Sequence, residues 1–170
     1  MSQHAVGIED VRAAATRIGP FVHRTPVARS RRLDEAAGRR LLFKCENLQR
    51  IGAFKIRGAM NAVLQLSDAE AARGVVTHSS GNHAQALALA ARTRGIPATI
   101  VMPSNAPRVK RDAVADYGAA IVECEPTLEA RERETARVIE RTGAVLVHPF
   151  HDPRVIAAQG TQALELLEDV

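Results

Sequence analysis

Apolar residues recur at helical spacing at Ile8, Val11, Ala14, Ala15 and Ile18, which predicts a first helix that Gly19-Pro20 stops. His23-Arg24-Thr25-Pro26 is extended, because the residue before a proline is pushed out of the helical region. Ser30 caps a short helix over Arg31–Ala37 closed by Gly38, and Leu41-Leu42-Phe43 reads as a strand leading into Lys44, Cys45 and Glu46. A helix starting at Lys55 runs to about Leu66, with Ala59, Val63 and Leu66 on one face. Ser67 and Glu70 then form the capping box of another short helix.

From residue 74 the pattern becomes regular. Gly74-VVTHS, Gly95-IPATIVMP, Gly118-AAIVECEP and Gly143-AVLVHP each place a glycine before an apolar, mostly β-branched strand. Helical segments Asn82–Arg94, Pro107–Tyr117 and Thr127–Thr142 fill the gaps, and the glycines suit left-handed caps. Strands and helices alternating at this spacing imply right-handed crossovers and a parallel sheet covered on both faces. The predicted fold class is α/β, a doubly wound parallel sheet.

Composition narrows the function classes. The chain has 170 residues, 25% charged and 46% hydrophobic, as expected of a soluble globular protein with a sizeable core. A net charge of +4 with scattered basic residues, no Trp and one Tyr argues against nucleic acid as a partner. Cys45 and Cys124 form no metal or disulfide spacing, which suits a reducing cytosol, and a cytoplasmic location is expected. MSQHAVGIED lacks the basic start and apolar run of a signal peptide. No stretch approaches the roughly 18 apolar residues of a membrane span.

Candidate chemistry lies in two stretches. In ENLQRIGAFKIRGA, residues 46–59, Lys55 sits among small and apolar residues where a helix begins. Partial burial and the positive end of a helix both disfavour an ammonium, and a neutral lysine can form a Schiff base with an aldehyde. The same residues also suit a snorkelling surface lysine. The second stretch, His78-Ser79-Ser80-Gly81-Asn82-His83, follows the first regular strand and opens an alanine-rich helix. In open α/β sheets ligands sit beyond the carboxyl ends of the strands, and a helix start with free N–H groups receives carboxylate or phosphate. An ordinary N-cap with spare serines is the competing reading.

GAFKIRGA followed by THSSGNHAQALALAA, and later HDPRVIAAQGTQALELLED, resembles the fold-type II pyridoxal-phosphate enzymes of the serine/threonine dehydratase and serine racemase family, from about His23 to Val170. The resemblance implies pyridoxal 5′-phosphate as cofactor, Lys55 as its Schiff-base lysine and Phe54 beside its ring. It implies that Asn82 bonds the cofactor's phenolic oxygen and that Ser80, Gly81, Asn82 and His83 form the loop for the substrate carboxylate. Ser80 stands where similar racemases carry the acid/base opposite lysine. In the family's organisation, residues 1–73 would belong to a large domain and 74–150 to a small α/β domain. Residues 151–170 would begin the remainder of the large domain.

The implied reaction converts an amino-acid substrate with a β-hydroxyl into a 2-oxo acid and ammonia, as a threonine or serine dehydratase does, with serine racemisation as a second activity. Two positions depart from the family pattern. Ile51 replaces a small or hydroxylated residue, and Arg31 replaces one serine of a pair that in the racemase contributes to nucleotide binding. None of the 11 glycines are adjacent, so the glycine-rich loop that cradles the cofactor phosphate is missing, and the chain resembles the N-terminal half of the enzyme. The expected partner is a second copy or a complementary C-terminal half. The alternative is a non-catalytic remnant or split-protein half whose apolar surface binds such a chain.

The remaining patterns have plainer readings. His148 with His151, and His78 with His83, lack helical ligand geometry, so no metal is expected. Arg108, Lys110 and Arg111 read as a solvated helix face, and Glu129–Arg133 and Glu134–Arg137 as intrahelical pairs. Arg57 suits either an anion near the lysine or a carboxylate such as Glu46.

Overall fold

Four parallel strands form the central sheet: β3 (Val75–His78), β4 (Ala98–Pro103), β5 (Ala120–Cys124) and β6 (Val145–Leu146), in the order β5-β4-β3-β6. This computed structural model describes residues 6–170, so the first half of the MSQHAVGIED stretch lies outside the described residues. The α/β class is as the alternating pattern predicts. A β-strand sends successive side chains to opposite faces, and here both faces are apolar. Val75, Ile100 and Met102 pack under α5 (Asn82–Arg94), which buries Ala84, Leu87 and Ala88. Val76 and Val101 point the other way, against Ala130 and Val138 of α7 (Leu128–Thr142).

Between these, α6 (Arg108–Asp116) joins β4 to β5 and packs against α5. Gly74, Gly95, Gly118 and Gly143 all have positive φ, and Gly95 and Gly143 close their helices as the predicted left-handed caps, whereas Gly74, with ψ −171°, does not. At Gly74 two constraints coincide. Its φ is +78°, and a Cβ there would lie 2.5 Å from the Pro97 carbonyl oxygen.

A helical layer covers the α5 side. It contains α1 (Ile8–Ile18), α3 (Lys55–Leu64) and α8 (Pro153–Gln159), all packed together, with α3 also lying against α5. Residues Ile56 to Val63 of α3 are buried all round, which explains why all but Arg57 and Asn61 are apolar or glycine. Around this lie α2 (Arg31–Ala37), capped by Ser30, and α4 (Asp68–Arg73), with the Ser67–Glu70 capping box in place. The last segment continues from α8 into α9 (Thr161–Glu168). A two-stranded antiparallel pair, β1 (Val27–Ala28) with β2 (Phe43–Lys44), completes the chain. The strand thus falls two residues later than the Leu41–Phe43 reading. There the cross-strand register of Val27 with Lys44 decides the boundary, and apolarity alone does not.

Strand order fixes where a ligand can sit. The chain steps outward from β3 to β4 and β5, then returns to place β6 on the other side of β3. The reversal opens a crevice beyond the carboxyl ends of β3 and β6.

Candidate active site

Lys55 reaches that crevice through an unusual turn. Arg50–Gly52 is a single tight turn in which Ile51 has φ 61° and ψ 7°. A β-branched residue in the left-handed region costs about 1–2 kcal/mol. Its side chain is packed against the main apolar core, which holds it there. Gly52 follows with φ 68°, Phe54 takes the cap position, and Lys55 becomes the first residue of α3. This strain falls at the one position of the motif that departs from the family pattern.

The Lys55 amine donates a 2.8 Å hydrogen bond to the Pro149 carbonyl, just past β6, and lies 5.2 Å from the Phe54 ring centre. Burial pushes its pKa below the ordinary lysine value, and the positive end of α3 acts in the same direction. The chain has only two other lysines, Lys44 and Lys110. Lys44 is 2.7 Å from a Glu165 carboxylate oxygen, so its amine is committed to an ion pair. Lys110 is solvent-facing on α6 and donates to Asn82 Oδ1 at 3.0 Å. Among the three, Lys55 has the setting of a nucleophile.

The other predicted stretch sits beside it. His83 is buried, and its Nε2 lies 3.0 Å from the Val147 carbonyl, which fixes the ring with Nε2–H as donor. Nδ1 is then a buried acceptor with no partner among the described residues. Burial, with a smaller contribution from the charge of Lys55, drives the His83 pKa down to about 4. The two stretches, distant in sequence, therefore meet at one end of the sheet. His78 at the end of β3 and His148 beyond β6 stack edge to face, 5.9 Å apart, and burial lowers both pKa values. His148 also stacks on His151, and its Nδ1 accepts the His151 backbone N–H at 3.1 Å. Among the described residues no group of three or more His, Cys, Asp or Glu is arranged to hold a metal.

Between β3 and α5, the Gly81 N–H donates to Ser79 Oγ at 3.2 Å, and Gly81 caps α5 without a side-chain bond. In the first turn of α5 the Ala84 N–H donates to the Gly81 carbonyl at 3.1 Å, which leaves those of Asn82 and His83 to meet an anion. Ser80 is half-buried and Asn82 exposed. Among the described residues no hydrogen bond joins Ser80 to Lys55.

Arg57 resolves the choice left open by the sequence. It is fully buried, with Nη2 2.8 Å from Glu46 Oε1 and Nη1 2.6 Å from Glu165 Oε1. Thr25 donates to the same Glu46 at 2.6 Å, and Lys44 binds Glu165, so the network ties β2, α3 and α9 together. Desolvation opposes the Arg57 charge, but the two carboxylates hold its pKa above the ordinary value. Desolvation likewise opposes the Glu165 carboxylate, and the bonds from Arg57 and Lys44 outweigh it. The guanidinium serves carboxylates of the chain itself and fixes the helix that carries Lys55. Glu46 lies within one stretch with Arg57 and could be named in advance. Glu165, Pro149 and Val147 could not, since their contacts span 64 to 108 positions.

Comparison with known proteins agrees with this geometry. Residues 18–170 match the family described as pyridoxal-phosphate dependent enzyme. The chain is 56% identical to beta-hydroxyaspartate dehydratase of Paracoccus denitrificans, covering 95% of this chain and 51% of that protein. The structure of maize serine racemase superposes with a TM-score of 0.96 at 53% identity, covering 98% of this chain and 51% of that one. The processed form of threonine deaminase isoform 2 from Solanum lycopersicum gives a TM-score of 0.88 at 34% identity, covering 96% and 44%. The chain spans about half the length of the curated relatives it matches. With its lysine and helix start brought to one crevice as that chemistry needs, the chain belongs to the pyridoxal-phosphate dependent enzyme family.

Proposed function

We propose that these residues serve a hydroxy-amino-acid ammonia-lyase, which forms a 2-oxo acid and ammonia from serine, threonine or 3-hydroxyaspartate and racemises serine as a second activity. The observation that carries the reading is the Lys55 amine, half-buried and depressed in pKa, at the β3–β6 crevice beside the start of α5. The residues fit an aldehyde-bearing anionic cofactor. One amine suits imine chemistry, a ring flanks it, and an uncapped helix start with a primary amide lies opposite.

Pyridoxal 5′-phosphate, when bound, supplies the electron sink that stabilises negative charge at the substrate Cα. Lys55 Nζ, whose ammonium form burial disfavours, takes the Cα proton. The Ser79–Asn82 loop and the N–H groups opening α5 hold the substrate carboxylate. Asn82 would hold the cofactor's phenolic oxygen through its amide N–H, and Phe54 would flank the ring. Ser80 Oγ returns a proton to the opposite face of Cα in racemisation.

Residues 1–73 and 151–170 are assigned to the large domain and 74–150 to the small one. The free thiols of Cys45 and Cys124 support a cytoplasmic setting, and among the described residues no helix is long and apolar enough to cross a membrane. A second copy or a complementary chain completes the site in this reading. Exposure of Phe150 beside the crevice, and of Leu167 and Val170 at the chain's end, supports a complementary chain, with or without catalysis.

Incubation with the cofactor and L-serine, L-threonine or 3-hydroxyaspartate, with 2-oxo acid as readout, tests the lyase reading. With the complementary chain that completes the site present, wild-type protein is expected to form the oxo acid, and Lys55→Ala to lose it by at least about 1,000-fold. Ser80→Ala is expected to retain oxo-acid formation and lose racemisation. Turnover unaffected by Lys55→Ala, or no turnover of any of the three, would contradict the lyase.

A further inference from the structure

We propose that Lys110 is a positioning residue that sets the orientation of the Asn82 carboxamide, and so decides which of its polar atoms faces the ligand. This rests on the cofactor reading above. A primary amide has one accepting end and one donating end, and either can face a ligand. An ammonium can only donate, so its 3.0 Å contact selects Asn82 Oδ1 and leaves Nδ2 with both hydrogens free.

The supporting geometry is simple. Asn82 is the first residue of α5, and Lys110 lies in the first turn of α6. The two helices pack together, and both begin just past carboxyl ends of neighbouring strands, β3 and β4. Asn82 is exposed, so packing does not orient its side chain. The contact instead links the helix start to an element outside the Ser79–His83 loop.

The consequence is chemical selectivity. With Oδ1 occupied, the amide presents donors, which suit an oxyanion such as the phenolate of pyridoxal 5′-phosphate. A cation on the carbonyl end also polarises the amide and strengthens its N–H donation. Reversal of the amide would turn a lone pair toward that oxygen and repel it. The sequence reading of Arg108, Lys110 and Arg111 as one solvated face therefore needs dividing. Arg108 is exposed, Arg111 pairs with Glu123, and Lys110 acts on Asn82.

A double-mutant cycle tests it, with the affinity for pyridoxal 5′-phosphate read from induced visible absorbance. Lys110→Met is expected to weaken binding about three- to tenfold, and Asn82→Ala at least as much. The double variant should bind no more weakly than Asn82→Ala, because Lys110 acts through the amide. Lys110→Arg should restore most of the loss, since it still donates. Asn82→Asp should bind no better than Asn82→Ala, although it keeps the Lys110 contact, because it offers no donor. Both side chains are solvent-facing, and unchanged far-ultraviolet circular dichroism confirms that each variant folds. Additive losses, or a Lys110→Met affinity equal to wild type, overturn the proposal while leaving the cofactor reading intact. A wild-type protein with no Lys55-dependent absorbance overturns both.

Discussion

At the scale of single residues, His83 carries a clear pH signature. Its ring is held neutral by burial, with Nε2–H on the Val147 carbonyl, and its pKa falls from 6.5 to about 4. Above pH 6.5 the ring is neutral in both folded and unfolded chains and stability is unaffected. Between pH 6.5 and 4 the unfolded chain binds the proton first, so stability falls as pH falls. The expected loss from this group is roughly 3 kcal/mol. His78 and His148, also lowered by burial, add to it in the same direction. Denaturant unfolding at pH 7 and pH 4.5 should therefore show a marked decrease that His83→Gln reduces. Equal slopes in the two proteins would contradict the assignment. His83 was legible as a member of the loop, but its commitment to Val147 was not, because nothing local in sequence marks a partner 64 positions away. Ile51 was legible as a departure from pattern. Its left-handed backbone was not, since β-branched residues avoid that region unless tertiary packing forces them.

Among the elements, periodicity and punctuation decided most boundaries. α1 and α5 begin and end at the predicted residues, because Gly19-Pro20 and Gly95 stop them for backbone reasons that do not depend on the rest of the fold. β2 was less well placed, since its ends are set by cross-strand pairing, and α3 stops at Leu64, two residues before the expected Leu66. Gly74, which hands α4 to β3, gives the sharpest test at this scale. Alanine there must adopt φ near +78° and put its Cβ 2.5 Å from the Pro97 carbonyl oxygen. Gly74→Ala should cost about 2–4 kcal/mol, the sum of strain in a backbone region (φ 78°, ψ −171°) open in practice only to glycine and of overpacking, measured by urea unfolding. Gly95→Ala, in the ordinary left-handed region (φ 72°, ψ 33°) and in open space, should cost only about 1–2 kcal/mol. Equal costs at the two sites would show that neither the backbone of Gly74 nor its Pro97 contact carries extra weight.

For the molecule as a whole, the α/β class and the meeting of Lys55 with the Ser79–His83 loop follow from one feature, the return of β6 to the far side of β3. The glycine-strand repeats made the sheet predictable. The strand order came only with the structure, because parallel pairing is decided by crossovers and not by any strand's own residues. The buried Arg57 network was half visible for the same reason, with Glu46 near in sequence and Glu165 remote. What the arrangement delivers is a single reactive amine. The most direct test is to add pyridoxal 5′-phosphate to the purified protein, reduce with borohydride, digest, and locate the pyridoxyl group by mass spectrometry. The account predicts modification at Lys55, with Lys44 and Lys110 unmodified and no label in Lys55→Ala. Label on Lys110, or none on Lys55, would contradict it.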